Sequence, residues 1–340
     1  MKRILFVDDE SRILDGLRRM LRGQRHDWEM SFAPGGEAAV AELEKSSFDV
    51  VVTDMRMPGM DGCELLSRVQ RINPESLRIV LSGHTDPAMA ADTARVAHQF
   101  HFKPTSPDAL RQVVERGCEL SATIPDGMRT MVGRITTFPV SEPSYRALLA
   151  ALDQPDVSLE ALTKIAERDI GIAGKLLQVV NSSFFGISPA VSEIGAAVRM
   201  LGAGTIRELV CGAGIFRPIR DLAGECFGLA LQEEAVNAAR AAAEAGDPAG
   251  RATRHARAIL SEIGRLILWD AKPEEYSAIW HEAQLSGQPI EVLEEEFLGT
   301  THSRLGSYLL GIWNLPTAIV DGIYAQDGVS GASAATLAAP

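Results

Sequence analysis

Five short apolar runs, four of them ending in a residue able to do chemistry, set the strongest limit on how this chain can fold. The runs are ILFV (4–7), EMSF (29–32), DVVVT (49–53), RIVLS (78–82) and QFHF (99–102). Helical patterns separate them, such as Leu14, Leu17 and Leu21, spaced three and four apart. Apolar strands that alternate with helices predict a parallel sheet covered on both faces. Asp86-Pro87 and Ser106-Pro107 each set a capping side chain before a proline suited to the first helical position. Residues 1–120 are therefore expected to form an α/β, doubly wound, parallel five-stranded sheet.

Ligands of such sheets bind at the carboxyl ends of the strands. The first run leads into Asp8 and Asp9, the third into Asp54, the fourth ends at Ser82, and the fifth leads into Lys103. Carboxylates brought together repel one another and demand a cation, and oxygen ligands with open positions suit Mg²⁺. A neighbouring lysine and hydroxyl would stabilise a phosphoryl group. Asp54 is the candidate nucleophile, because a carboxylate can accept a phosphoryl group as an acyl phosphate. One strand-end aspartate alone would more simply cap a loop. Five such positions at the ends of four runs favour a site.

The remainder of the chain reads differently. Residues 121–134 carry no Gly/Ser or Pro-rich linker and are expected to form a helical join. From 135 to 328 helical signals dominate, with Ser158, Asp169 and Ser192 as candidate caps, so an all-α domain is expected there. Residues 329–340 are small and uncharged and read as a frayed tail. With 340 residues, 46% apolar and 23% charged, the chain suits a multidomain globular protein. Its net charge of -12 disfavours nucleic acid as a partner. Cys63, Cys118, Cys211 and Cys226 are far apart and suggest thiols in a reducing compartment. No run approaches the ~18 apolar residues of a membrane span, and MKRILFVDD is too short a hydrophobic stretch for a secretory leader. A cytoplasmic protein is expected.

The motifs FVDDE, VVTDMRMPGMDG, IVLSGH and FHFKP make residues 1–120 resemble the receiver domain of bacterial response regulators, a flavodoxin-like fold. The resemblance implies Asp54 as phosphoacceptor, with a sensor histidine kinase as donor. It implies Asp8, Asp9, Asp54 and the backbone carbonyl of Arg56 as Mg²⁺ ligands. Ser82 becomes the switch hydroxyl, Lys103 the phosphate-binding lysine and Phe100 the switch aromatic. From TFPVSEPSYRALLAALDQ to PAVSEIGAAVRMLG the second half resembles an HDOD domain, a relative of the HD and HD-GYP phosphohydrolases. Asn181, Phe185 and Gly186 are read there as architectural.

In the hydrolases the equivalent of AILSEIGRL (258–266) carries an adjacent His-Asp pair that binds metal. This chain has Ser261-Glu262, expected in the middle of one apolar helix, and serine is a poor neutral ligand. His302 stands where the family often keeps a histidine, and Tyr324-Ala325-Gln326-Asp327 where hydrolases show others. A His255/Glu262/His302 metal site is outweighed by ligand count. Glu262 is instead expected to be solvated or paired with a basic residue, Arg265 being within reach, an exposed contact worth ~0.3–0.5 kcal/mol. The expected function is a phosphorylation-controlled regulator whose HDOD domain binds a downstream signalling protein without catalysis. A homodimer is left open, and no membrane partner is expected. The competing reading is a metal-dependent phosphodiesterase, hydrolysing cyclic dinucleotides under control of the receiver.

Overall fold

The computed structural model describes residues 1–83, 93–182, 190–219 and 227–327. Asp86-Pro87, Phe185, Gly186 and the tail from 328 onwards lie outside the described residues.

The N-terminal part is a sheet of β1 (Lys2–Val7), β2 (Trp28–Ala33), β3 (Val50–Asp54), β4 (Leu77–Ser82) and β5 (Gln99–Phe102). The order is β2-β1-β3-β4-β5 and every pairing is parallel. Side chains alternate across the sheet, as the two-residue period of a strand requires. Ile4, Phe6, Val50, Val52 and Ile79 enter one apolar cluster, and Leu5, Val7, Val51 and Val80 enter another. The first is covered by α1 (Ser11–Met20) and α5 (Pro107–Ala122), through Leu14, Leu110 and Val114. The second is covered by α2 (Gly36–Leu43) and α3 (Gly62–Ile72), through Ala39, Leu43, Leu65 and Val69. Helix α4 is described over 93–96. Ser106 caps α5 by accepting a hydrogen bond from the Ala109 N–H.

The second half contains α6 (Asp126–Gly133), α7 (Glu142–Leu152), α8 (Leu159–Ala166), α9 (Ile170–Asn181), α10 (Ile194–Arg207), α11 (Phe227–Glu244) and α12 (Arg251–Leu260). It continues with α13 (Ile263–Ala271), α14 (Pro273–Ser286), α15 (Ile290–Leu298), α16 (His302–Ile312) and α17 (Thr317–Tyr324). Helix α9 is the axis of this part, because all of its residues are buried. Asp169 caps it with one oxygen on the Gly171 and Ile172 N–H groups and the other on Ser141 N–H. Ser158 caps α8 through the Ala161 N–H.

Three local expectations fail. Ser192 caps nothing; Glu193 holds the N-cap position of α10, and the Ser192 hydroxyl meets the Thr253 hydroxyl at 2.9 Å. The helical part also contains two strands, β6 (Phe138–Val140) and β7 (Phe216–Pro218), paired in parallel. At three residues each they are too short to show alternation in sequence. The stretch 258–266 is two helices: α12 stops at Leu260 and α13 starts at Ile263, so Ser261 and Glu262 form the bend. Glycine makes this bend compact, since a Cβ on Gly264 would overlap the backbone carbonyl of His302 in α16.

The core does not stop at the boundary of the sheet. The cluster containing Ile4 and Ile79 continues through Ile124, Met128 and Val132 into Phe138, Leu176, Leu266 and Leu309. Leu266 is fully buried in it. Leu266→Ala should cost ~2–5 kcal/mol through lost burial and a residual cavity. Urea unfolding of the full chain measures this, and a midpoint equal to wild type would show that the site collapses without loss.

Candidate functional site

Parallel pairing brings the carboxyl ends of β1, β3, β4 and β5 to one edge of the sheet. Asp8 follows β1, Asp54 ends β3, Ser82 ends β4 and Lys103 follows β5. The Lys103 ammonium donates to Asp8 Oδ2 at 2.6 Å and also to Asp54 Oδ1. Asp54 Oδ2 accepts from the Arg56 N–H at 2.7 Å, and Asp8 Oδ1 accepts from the Glu10 N–H at 3.0 Å. Burial alone would lower the Lys103 pKa. The hydrogen bonds and charges of Asp54 and Asp8 outweigh it and raise the value, so this lysine stays a cation.

The remaining positions fall around this pair. Asp9 is exposed beside Asp8, and Arg56 is exposed in the loop after Asp54. Ser82 is buried, and its carbonyl accepts the Lys103 N–H at 2.9 Å, tying the ends of β4 and β5 together. Phe100 is buried and packs edge-on against Phe102 at 5.6 Å. The loop after Asp54 turns at Gly59, whose positive φ of 79° suits glycine. Gly62 lets α3 begin against the Asp54 carbonyl, where a Cβ would overlap that oxygen. Met57 and Met60 in this loop are buried in the α2/α3 cluster.

At the α12/α13 bend Ser261 Oγ donates to the Ala258 carbonyl at 2.6 Å. Glu262 pairs with Arg265 at 3.1 Å, and Arg265 also reaches Glu234 at 3.4 Å. The Arg265 side chain is only 12% exposed and that of Glu262 21%. The pair is thus not the exposed contact expected. His302 begins α16 with its Nδ1 2.7 Å from Glu294 Oε2, which also accepts the His302 N–H at 2.8 Å. Tyr276 donates its hydroxyl to the other Glu294 oxygen. Burial would lower the His302 pKa, but the hydrogen bond and charge of Glu294, with the charge of Glu262, raise it.

His255 is not part of this group. Its Nε2 lies 3.3 Å from the Glu167 carbonyl. Tyr324 is exposed, and Asp327 accepts from Arg304 at 2.6 Å. Among the described residues no group of three His, Cys, Asp or Glu side chains is arranged to hold a metal ion.

The polar residues that join the two halves have no role in the sequence reading. Arg78, in β4, is buried and donates to the carbonyls of Pro74, Val96 and Gly133. Lys175, inside the buried helix α9, donates to the Ala94 carbonyl at 2.6 Å. Gln178, one turn on, reaches the carbonyls of Ala97 and His98 at 3.4 and 3.3 Å. Gln99 of β5 donates to the Ile312 carbonyl at 3.0 Å. The available signal was a lone cation inside an apolar run: Arg78 opens RIVLS, and Lys175 interrupts IGIAGKLLQVV. Burial pushes the Lys175 pKa down to about 7, with Arg78 adding to the shift.

These features are those of a response regulator, a receiver sheet joined to a helical domain. Residues 4–115 match the response regulator receiver domain and residues 138–329 the HDOD domain. The second match covers more than half of the chain, which belongs to the HDOD domain family. The hydrogenase transcriptional regulatory protein HoxA of Cupriavidus necator is 30% identical over 177 residues, 48% of this chain and 36% of that protein. An uncharacterized protein of Treponema pallidum is 25% identical over 63% of this chain and 42% of its own length. The chain thus spans less than half the length of these curated relatives. The MmoQ response regulator of Methylococcus capsulatus is similar over 55% of this chain and 75% of that one, with 23% identity and a TM-score of 0.47. No described helix is long and apolar enough to cross a membrane.

Removing the Glu262 carboxylate would leave Arg265 buried with weaker compensation. Glu262→Ala should therefore cost about 1–3 kcal/mol, as for a lost hydrogen bond to a charged group. A loss below ~0.5 kcal/mol in denaturant unfolding would return the pair to the exposed class. The His302–Glu294 contact carries a sign. A raised histidine pKa contributes stability that is complete below the unfolded value of about 6.5 and is lost as pH rises through the folded value. The stability advantage of wild type over His302→Gln should shrink as pH rises above neutrality, and a growing advantage would contradict it.

Proposed function

We propose that this chain is a phosphorylation-controlled regulator in which Asp54 accepts a phosphoryl group from a sensor histidine kinase and the HDOD domain is a non-catalytic, protein-binding output. The observation that carries the reading is the junction of Asp8, Asp54 and Lys103 at the strand ends.

Asp54 supplies the attacking carboxylate oxygen. The bond from phosphorus to the kinase histidine breaks, and its electron pair returns to the imidazole. The carboxylate donor set of Asp8, Asp9 and Asp54, with the Arg56 carbonyl, suits a hard divalent cation, and bound Mg²⁺ would neutralise charge on the transferring group. Lys103 now holds the Asp54 carboxylate, so phosphorylation exchanges that contact for one with a phosphoryl oxygen. The Ser82 hydroxyl, at the end of the adjacent strand, is the nearby donor that would follow.

The output follows from what Lys103 is attached to. Five residues before it, the His98 carbonyl is gripped by Gln178, and the Ala94 carbonyl is gripped by Lys175. A movement of β5 and the end of α4 therefore cannot occur without remaking bonds to α9. The partner of the HDOD domain is taken to be a downstream signalling protein. The Glu262–Arg265 pair supports a non-catalytic domain, since a guanidinium already neutralises the carboxylate at the bend.

Acetyl phosphate with Mg²⁺ should label the wild-type chain on one aspartate, and Asp54→Asn should abolish the label; undiminished labelling would move the acceptor elsewhere. Lys175→Met with Gln178→Leu should leave labelling intact and weaken the phosphorylation-dependent change in amide exchange within 194–327. An unchanged exchange response in that variant would mean that α9 does not carry the coupling.

A further inference from the structure

A second polar feature lies away from both the strand-end pocket and the α12/α13 bend. Three helix faces converge on a cleft of about 460 Å³. Helix α8 and the residues just after it supply Lys164 and Arg168, α11 supplies Arg240, and the first turns of α12 supply Arg251 and His255. The spacings are helical: 164 and 168 are one turn apart, as are 251 and 255. Lys164, Arg251 and His255 therefore face the cleft because of the helices they sit on, and Arg168 reaches it from the turn after α8.

The charge there runs against the whole molecule. The chain carries -12, yet these four Lys and Arg face only Glu167 and Glu244 in the lining. Lys164 is held by Glu160 at 2.6 Å. Arg168, Arg240 and Arg251 are exposed and form no ion pair among the described residues, so their guanidinium groups are available to a ligand. Helix α12 opens into the same region with no acidic residue in its first turn, the nearest carboxylate in sequence being Asp247, which caps the short turn before it. Among the described residues no Phe, Tyr or Trp lines the cleft to offer a base a stacking surface. Its size is within the range of small-molecule sites. Arginine forks match phosphate oxygens in geometry as well as charge.

We propose that the cleft between α8, α11 and α12 binds a compact polyphosphorylated anion, with Arg168, Arg240 and Arg251 as its contacts. Binding joins α8, α11 and α12 through one ligand, and gives the output domain an input independent of Asp54.

The probe is inorganic tripolyphosphate, titrated calorimetrically into the full chain at physiological ionic strength with a chelator present. The chelator removes the divalent cation on which anion binding at Asp54 would depend. One saturable site is expected, weakened at least tenfold in Arg240→Gln/Arg251→Gln. Arg71→Gln, an exposed arginine on α3, should leave the affinity unchanged, and Arg240→Lys/Arg251→Lys should bind more tightly than the double Gln variant. Thermal melts without ligand establish that each variant is folded. No saturable binding, or equal weakening by Arg71→Gln, overturns the site. An acidic peptide that binds more tightly than tripolyphosphate and is lost in the double Gln variant overturns the ligand class and makes the cleft a protein-docking site.

Discussion

The contact on which the two halves depend is built from buried cations and backbone oxygens. Arg78 satisfies carbonyls from three separate segments, and Lys175 satisfies a fourth from the opposite side. Burying a charge is expensive unless it is well hydrogen-bonded. Burial brings the Arg78 pKa down to about 10, partly offset by Tyr308, and that of Lys175 to about 7. Arginine remains charged under such conditions, whereas Lys175 titrates in the physiological range. The two residues therefore divide the work. Arg78 is a permanent clamp inside the receiver, tying β4 to the α6 end at Gly133. Lys175 can sit beside it because its own charge is weakly held. Its ring contact with Trp313 at 5.1 Å adds a favourable surface for whatever charge remains.

The α12/α13 bend solves a different electrostatic problem. An HD-type helix gathers carboxylates and histidines that only a metal can reconcile. Here Ser261 and Glu262 stand at a break between two helices. Arg265 neutralises Glu262, and Glu294 is shared by His302 and Tyr276. The polar cluster is thereby satisfied by its own side chains, which is what allows it to be buried without orphaning a carboxylate. Gly264 keeps α13 in close contact with α16.

Much of this was legible because strands and their ends are local. Apolar runs gave all five receiver strands to within about two residues, a normal boundary error. Asp8, Asp54, Ser82 and Lys103 could be grouped because parallel topology puts every carboxyl end on one edge. Asp169 and Ser158 were readable as caps because a cap depends on residues two or three away. What could not be read was set by distant partners. Gln99 finds Ile312, Lys175 finds Ala94, and Arg78 finds Gly133, and nothing in a local window encodes such pairings. The break at Ser261-Glu262 was hidden for the same reason: its periodicity continues through 258–266, and only the approach of α16 to Gly264 fixes the bend. Ser192 failed as a cap because Thr253, 61 residues away, competes for its hydroxyl.

The small parallel pair β6–β7 carries a consequence for how the molecule assembles. Phe138 pairs with Phe216, so the pair closes a loop that contains α7 through α10. Parallel pairing across such a separation sacrifices chain entropy before any contact rewards it. During synthesis the receiver sheet can form as soon as β5 has emerged, but β6 must wait unpaired until β7 follows. The edge that it offers meanwhile is three residues long, and its middle residue, Pro139, donates no hydrogen bond. A nascent chain at that stage exposes little that another chain could add to, so the late closure leaves the helical domain slow to complete without making it sticky.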